Sequence, residues 1–129
     1  MNDAALPLLD EIARLIGPTN LLRGEEAGRW SGDWAGHMTW RPLAVARPAE
    51  TDEVAALVRL ANRHRLPVVP VSGNTNLVKG TAAEGALMLS LDRLSGIREI
   101  RPAARVASVT TGAFGKHRVS INSGPSSKA

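Results

Sequence analysis

A chain of 129 residues and 13.7 kDa has room for one domain, and 43% hydrophobic with 22% charged residues excludes disorder throughout. The absence of cysteine excludes disulfides, thiolate zinc sites, iron–sulfur ligation and a cysteine nucleophile. The net charge of +4 is unevenly placed: through Glu99 there are 11 Lys/Arg against 12 Asp/Glu, while Arg101, Arg105, Lys116, Arg118 and Lys128 meet no later acid. The basicity therefore belongs to the end of the chain, and without interleaved aromatics it gives little reason to expect a nucleic-acid partner.

The first residues carry no basic stretch followed by an apolar one, and no apolar run approaches the roughly 18 residues of a membrane span. A cytoplasmic chain is the expectation. Residues 4–16 place Leu8, Ile12 and Leu15, with Leu9 and Ile16 beside them, at helical spacing, and Gly17-Pro18 stops that helix. Residues 19–41 have no sustained period and hold all three Trp (Trp30, Trp34, Trp40), which reads as an irregular stretch, with the Trp as core or surface anchors before ligand platforms.

Leu43-Ala44-Val45-Ala46 is a short apolar run closed by Pro48 and followed by a helix from Thr51, where Asp52 and Glu53 complement the helix dipole. Val54, Leu57, Val58 and Ala61 supply its apolar stripe. Residues 66–71, LPVVPV, then read as a buried strand, giving strand, helix, strand in the order of a βαβ unit. Residues 86–91, 97–100 and 105–110 are further short strands, and from 114 onward the pattern gives way to a polar, basic tail. The expected organisation is a lead-in over 1–40, a domain over 41–113 and the tail over 114–129.

One segment has the composition of a site. Ser72-Gly73-Asn74-Thr75-Asn76-Leu77-Val78-Lys79-Gly80-Thr81 opens directly from a strand, and its backbone N–H groups can converge on an anion such as phosphate. Its spacing is neither G-x-G-x-x-G nor G-x4-G-K-[ST], so on composition a plain connecting turn stands beside phosphate binding. His37, His64 and His117 lie far apart without metal-ligand spacing, and no nucleophile elbow is present.

Residues 41–80, RPLAVARPAETDEVAALVRLANRHRLPVVPVSGNTNLVKG, closely resemble the start of the FAD-binding domain of the FAD-linked oxidases, the PCMH-type or vanillyl-alcohol-oxidase superfamily. Within it, GNTNLVKG over 73–80 is similar to the branch of D-lactate, glycolate and D-2-hydroxyglutarate dehydrogenases. Asp33-Trp34, LMLSLDRLSGIREI and ASVTTGA also have counterparts there, so the resemblance runs over about residues 29–113. It implies an α+β fold, the N-terminal portion of a PCMH-type domain comprising a βαβ subdomain and the start of a second. It implies FAD as cofactor, with Pro70, Ser72, Gly73, Asn74, Thr75, Asn76 and Leu77 in the cofactor loop, and Asn76 and Lys79 where the branch often has Gly. Oxidation of a D-2-hydroxy acid by hydride transfer to the flavin is the implied activity, with the small hydroxy acid a partner only of a full-length form.

Family members run for several hundred residues, and the composition changes abruptly after Ala113. The expectation is a truncated or frameshifted piece with little or no turnover, weak or absent FAD binding, and exposed strand edges that favour aggregation. The alternatives are a small autonomous α/β module that binds a nucleotide or phosphate without redox work, and a nucleic-acid binder dependent on residues 101–129.

Overall fold

The computed structural model describes residues 5–75 and 77–112; Asn76 of the loop, and the end of the chain with the expected tail over 114–129, lie outside the described residues. Helix α1 (Ala5–Ile16) buries Leu8, Leu9, Ile12 and Ile16 and leaves Leu15 exposed, so the apolar stripe follows i, i+4 from Leu8. Gly17, at φ +86, ends it, and the Asn20 side chain donates to the Ile16 carbonyl at 2.8 Å.

Strand β1 (Leu21–Leu22) leads into a 3-10 helix, Gly24–Trp30, and then strand β2 (Ala44–Ala46) and helix α2 (Thr51–Arg63). Glu53 accepts a hydrogen bond from the Ala49 N–H at 2.7 Å, which satisfies a donor just ahead of the helix. The buried stripe of α2 is Leu57, Leu60 and Ala61, while Val58 is exposed, a rotation of the face expected from the sequence. Arg65, at φ +51, takes the left-handed position after the helix, and the Leu66 N–H closes the turn on the Ala61 carbonyl.

Strands β3 (Val68–Val71) and β4 (Leu87–Ser90) complete a four-stranded sheet of order β1-β2-β4-β3, with β2 and β3 both parallel to β4 and β1 antiparallel to β2. The two strands of the βαβ unit are therefore separated by β4. Composition explains the order, because β4 is buried along its whole length and takes the centre, whereas β3 carries Pro70, which has no N–H and suits an edge. The expectation of a buried strand over residues 66–71 is corrected accordingly: the strand is Val68–Val71, in which Val71 is buried, Val68 and Val69 are half-buried and Pro70 is exposed.

Alternation along the strands makes two cores. Ala44, Ala46, Leu87 and Leu89 face α1 and α2, together with Leu21, Leu57 and Leu60. Val45, Met88 and Val71 face the other way, against Ala27, Trp30, Trp40, Ala83 and Ala86. The stretch read as irregular thus covers the second face of the sheet with its 3-10 helix and the indoles of Trp30 and Trp40, with no α-helix among the described residues on that side. Strands β5 (Ile97–Arg101) and β6 (Val106–Val109) form a separate antiparallel ribbon. No helix among the described residues is long and apolar enough to cross a membrane.

Candidate cofactor cleft

The three parallel strands all end on the same side, and the residues that follow them meet there. Arg47 follows β2, Ser72-Gly73-Asn74 follow β3, and Asp92 stands two residues after β4. The carboxyl ends of parallel strands are the usual location of ligand crevices in open α/β sheets. Here a cleft of about 520 Å³ is lined by the loop Ser72, Gly73 and Asn74, by Arg29, Trp30, Gly32, Asp33 and Trp34 of the lead-in, and by Asp92, Ser95 and Gly112.

A polar network holds the floor. The Arg47 guanidinium grips Asp92 with two hydrogen bonds, Nε to Oδ1 at 3.2 Å and Nη2 to Oδ2 at 3.0 Å, and Arg29 Nη2 reaches the same Oδ2 at 3.0 Å. The fully buried Ser90 hydroxyl donates to Asp92 Oδ1 at 2.9 Å and accepts from Trp30 Nε1 at 3.2 Å, so its burial is satisfied on both sides. Trp40 Nε1 donates to the Trp30 carbonyl at 2.8 Å, and the Arg29 guanidinium lies over the Trp30 ring at 4.4 Å. Burial works against the charged form of Asp92, but the hydrogen bonds from Arg47 and Ser90 and the charges of Arg47 and Arg29 outweigh it and hold its pKa below the usual carboxylate value.

The loop is braced by its side chains and open at its backbone. Asn74, at φ +52, adopts the left-handed conformation that Asn tolerates better than most residues. Its Nδ2 donates to the Gly32 carbonyl at 2.9 Å and its Oδ1 accepts from Thr81 Oγ1 at 2.9 Å. The Ser72 hydroxyl donates to the Thr111 carbonyl at 2.8 Å. Among the described residues, the backbone N–H groups of Gly73, Asn74 and Thr75 have no acceptor.

Gly112 closes the cleft from below. A Cβ built there would lie inside the Leu91 carbonyl, and the Gly112 N–H donates to the Leu94 carbonyl at 3.0 Å, so only glycine permits this approach of the ribbon's end to the turn after β4.

Of the residues expected in the cofactor loop, Ser72, Gly73 and Asn74 line the cleft. Pro70 is exposed on the edge strand, Thr75 is exposed and Leu77 is 72% exposed, all outside the cleft lining, and Asn76 lies outside the described residues. The Arg29–Asp92–Arg47 network was not legible as a site, since its members are 18 and 45 residues apart in sequence. The positions of Arg47 and Asp92 just beyond strand ends were the available signal, whereas Arg29 lies within the 3-10 helix Gly24–Trp30. Among the described residues, no group of three or more His, Asp or Glu is placed to hold a metal.

The model of the FAD binding domain matches residues 42–117. The D-2-hydroxyglutarate dehydrogenase of Stutzerimonas stutzeri is 33% identical over 109 residues, 83% of this chain and 23% of that protein. The glycolate oxidase subunit GlcD of Bacillus subtilis is 33% identical over 106 residues, 80% of this chain and 22% of that protein. A crystal structure of p-cresol methylhydroxylase superposes with TM-score 0.76 at 19% identity, covering 88% of this chain and 23% of that one, which is a likeness of fold. The chain thus spans about a quarter of the length of the curated relatives it matches.

The residues present fit the cofactor that this match implies. A dinucleotide's pyrophosphate is an anion that takes N–H donors, and Gly73, Asn74 and Thr75 offer ones without an acceptor among the described residues, beside a guanidinium already balanced by Asp92. With the Ser72 hydroxyl donated to Thr111, the donors that the loop leaves open are those of its backbone. The mixed helix and sheet of this chain has the PCMH-type fold, and the chain belongs to the FAD binding domain family, with FAD as its cofactor.

Proposed function

We propose that this chain is the FAD-binding portion of a flavin-dependent oxidoreductase that oxidises a D-2-hydroxy acid of the D-lactate, glycolate or D-2-hydroxyglutarate type, in a cytoplasmic setting. The observation that carries the reading is the loop after β3, whose Gly73, Asn74 and Thr75 N–H groups have no acceptor among the described residues, at the carboxyl ends of three parallel strands. The names of the relatives support the substrate class. When bound, FAD supplies the two-electron acceptor for the hydride that a 2-hydroxy acid gives up in becoming a 2-oxo acid.

In this proposal the chain's own task is to hold the pyrophosphate through the backbone of residues 72–75, and to keep Arg29 and Arg47 fixed on Asp92 so that the cleft keeps its shape. Substrate oxidation belongs to a protein of the relatives' length. By itself the 129-residue chain binds FAD weakly and turns over none of the three acids. Equilibrium dialysis against FAD tests the first statement: weak saturable uptake is expected, and uptake no greater than that of an unrelated protein contradicts it. For the second, a protein of the relatives' length containing this sequence is expected to lose its bound-flavin absorbance on anaerobic addition of one of the acids. No bleaching by any of them would remove the substrate class.

A further inference from the structure

Phosphate holding leaves one wall of the cleft without a task. Residues 32–39 form a small hairpin in which Gly32 and Thr39 pair as an antiparallel bridge. The Asp33 N–H donates to the Met38 carbonyl at 3.1 Å, Asp33 Oδ1 accepts from the Met38 N–H at 2.8 Å, and the Gly36 N–H closes the turn on the Asp33 carbonyl at 3.2 Å. Trp34 stands on this turn, lines the cleft with Gly73 and Asn74, and is 71% exposed, whereas Trp30 and Trp40 are buried.

An indole is among the largest apolar surfaces a chain can bury, and here it is held in the open by a braced turn and faces a cleft instead of a core. The brace is shared with the loop, since Asn74 Nδ2 donates to the Gly32 carbonyl at the root of the hairpin. The cleft therefore joins the N–H donors of Gly73 and Asn74, which have no acceptor among the described residues, to a flat aromatic wall. A nucleotide has matching ends, an anionic phosphate and a planar ring, and a turn braced in advance leaves only the side chain of Trp34 to be ordered on stacking against such a ring.

We propose that Trp34 is a stacking surface for a planar ring of the bound dinucleotide, adenine or isoalloxazine, and that Asp33 is a positioning residue that sets the turn carrying it. The inference rests on the FAD-binding reading and adds the residue that recognises the ring. Because Trp34 is exposed, its replacement leaves the fold intact, which an unchanged thermal transition checks.

The test is a titration of the full 129-residue chain, as wild type, Trp34→Ala and Trp34→Phe, with FAD, ADP, FMN and inorganic pyrophosphate, followed by calorimetry and flavin fluorescence. Trp34→Ala is expected to weaken FAD about tenfold, as loss of an aromatic stacking contact with a base does, and to leave pyrophosphate unchanged, while Trp34→Phe keeps most of the affinity. The half ligand that weakens in step, ADP or FMN, identifies the ring. Equal FAD affinity in wild type and Trp34→Ala overturns the stacking role and leaves FAD binding standing. An equal loss of FAD and pyrophosphate affinity overturns it too, by assigning Trp34 a purely structural role. No FAD binding by wild type overturns both readings.

Discussion

The sheet and the ribbon are both built from short strands, but β4 is Leu-Met-Leu-Ser whereas β5 carries Arg98, Glu99 and Arg101 between and after its two Ile, and they end in opposite environments. In β4 every residue is buried, between two helices on one side and two indoles on the other. In β5 every residue is exposed, and in β6 only Ala107 is partly covered. A register shift between Ile97 and Glu99 places Ile97 opposite Val109 and Ile100 opposite Ala107, so these four share one face of the ribbon despite the odd spacing of the two Ile. The lesson is that strand propensity makes a strand, whereas covering layers make a core. The cleft lies on the seam between the two regions, where Ser72 meets Thr111 and Gly112 meets Leu94.

The largest effect separates the regions directly. Leu87→Ala, in the doubly covered strand, is expected to cost about 2–5 kcal/mol in denaturant unfolding, against less than about 0.5 kcal/mol for Ile100→Ala in the ribbon. Comparable losses at both positions would mean that the ribbon has a core of its own. At the seam, Gly112→Ala is expected to cost about 1–3 kcal/mol through overpacking, and to raise amide exchange in residues 106–112 while β2 and β4 stay protected. Uniform loss of protection would show that the seam carries the whole fold.

Asp92→Asn is the next test, at about 2 kcal/mol for hydrogen bonds to a charged group. The sign with pH follows from the lowered pKa in the folded state. The stabilisation is fully present above the unfolded carboxylate value, about 3.9, and is lost as pH falls through the lower folded value. The thermal midpoint of the wild type should therefore converge on that of Asp92→Asn as the solution is acidified below about pH 4; a constant gap between them would contradict the account. The smallest of the site effects is Asn74→Ala, expected to cost about 1 kcal/mol from two lost side-chain bonds and a left-handed residue without Asn. Faster exchange of the Asp33, Gly36 and Met38 amides, which are hydrogen-bonded within the hairpin, would show that Asn74 couples the two walls.

Much of the fold was legible because local rules and packing agree there. The dipole-matched start of α2, the Gly17-Pro18 stop and the apolar runs at 44–46, 68–71 and 87–90 all form the elements their residues favour. The insertion of β4 between β2 and β3 was not legible, since pairing order is decided by burial and by the missing N–H of Pro70, not by sequence order. The second layer was hidden for a related reason: two indoles at positions 30 and 40 cover a sheet face without helical period. In the site, the loop after β3 announced itself by composition. Arg29, Arg47 and Asp92 did not, because the parallel strands bring Arg47 and Asp92 to one end and the 3-10 helix against the second sheet face brings Arg29 to them.

The central claim is that the carboxyl ends of β2, β3 and β4 form the FAD site. Amide chemical-shift mapping of the 129-residue chain during an FAD titration tests it most directly. The account predicts saturable shifts concentrated at Gly73, Asn74, Thr75, Trp34 and Gly112, with the far ends of the strands unmoved. Shifts confined to another surface, or none at FAD concentrations where equilibrium dialysis shows saturable uptake, would contradict it.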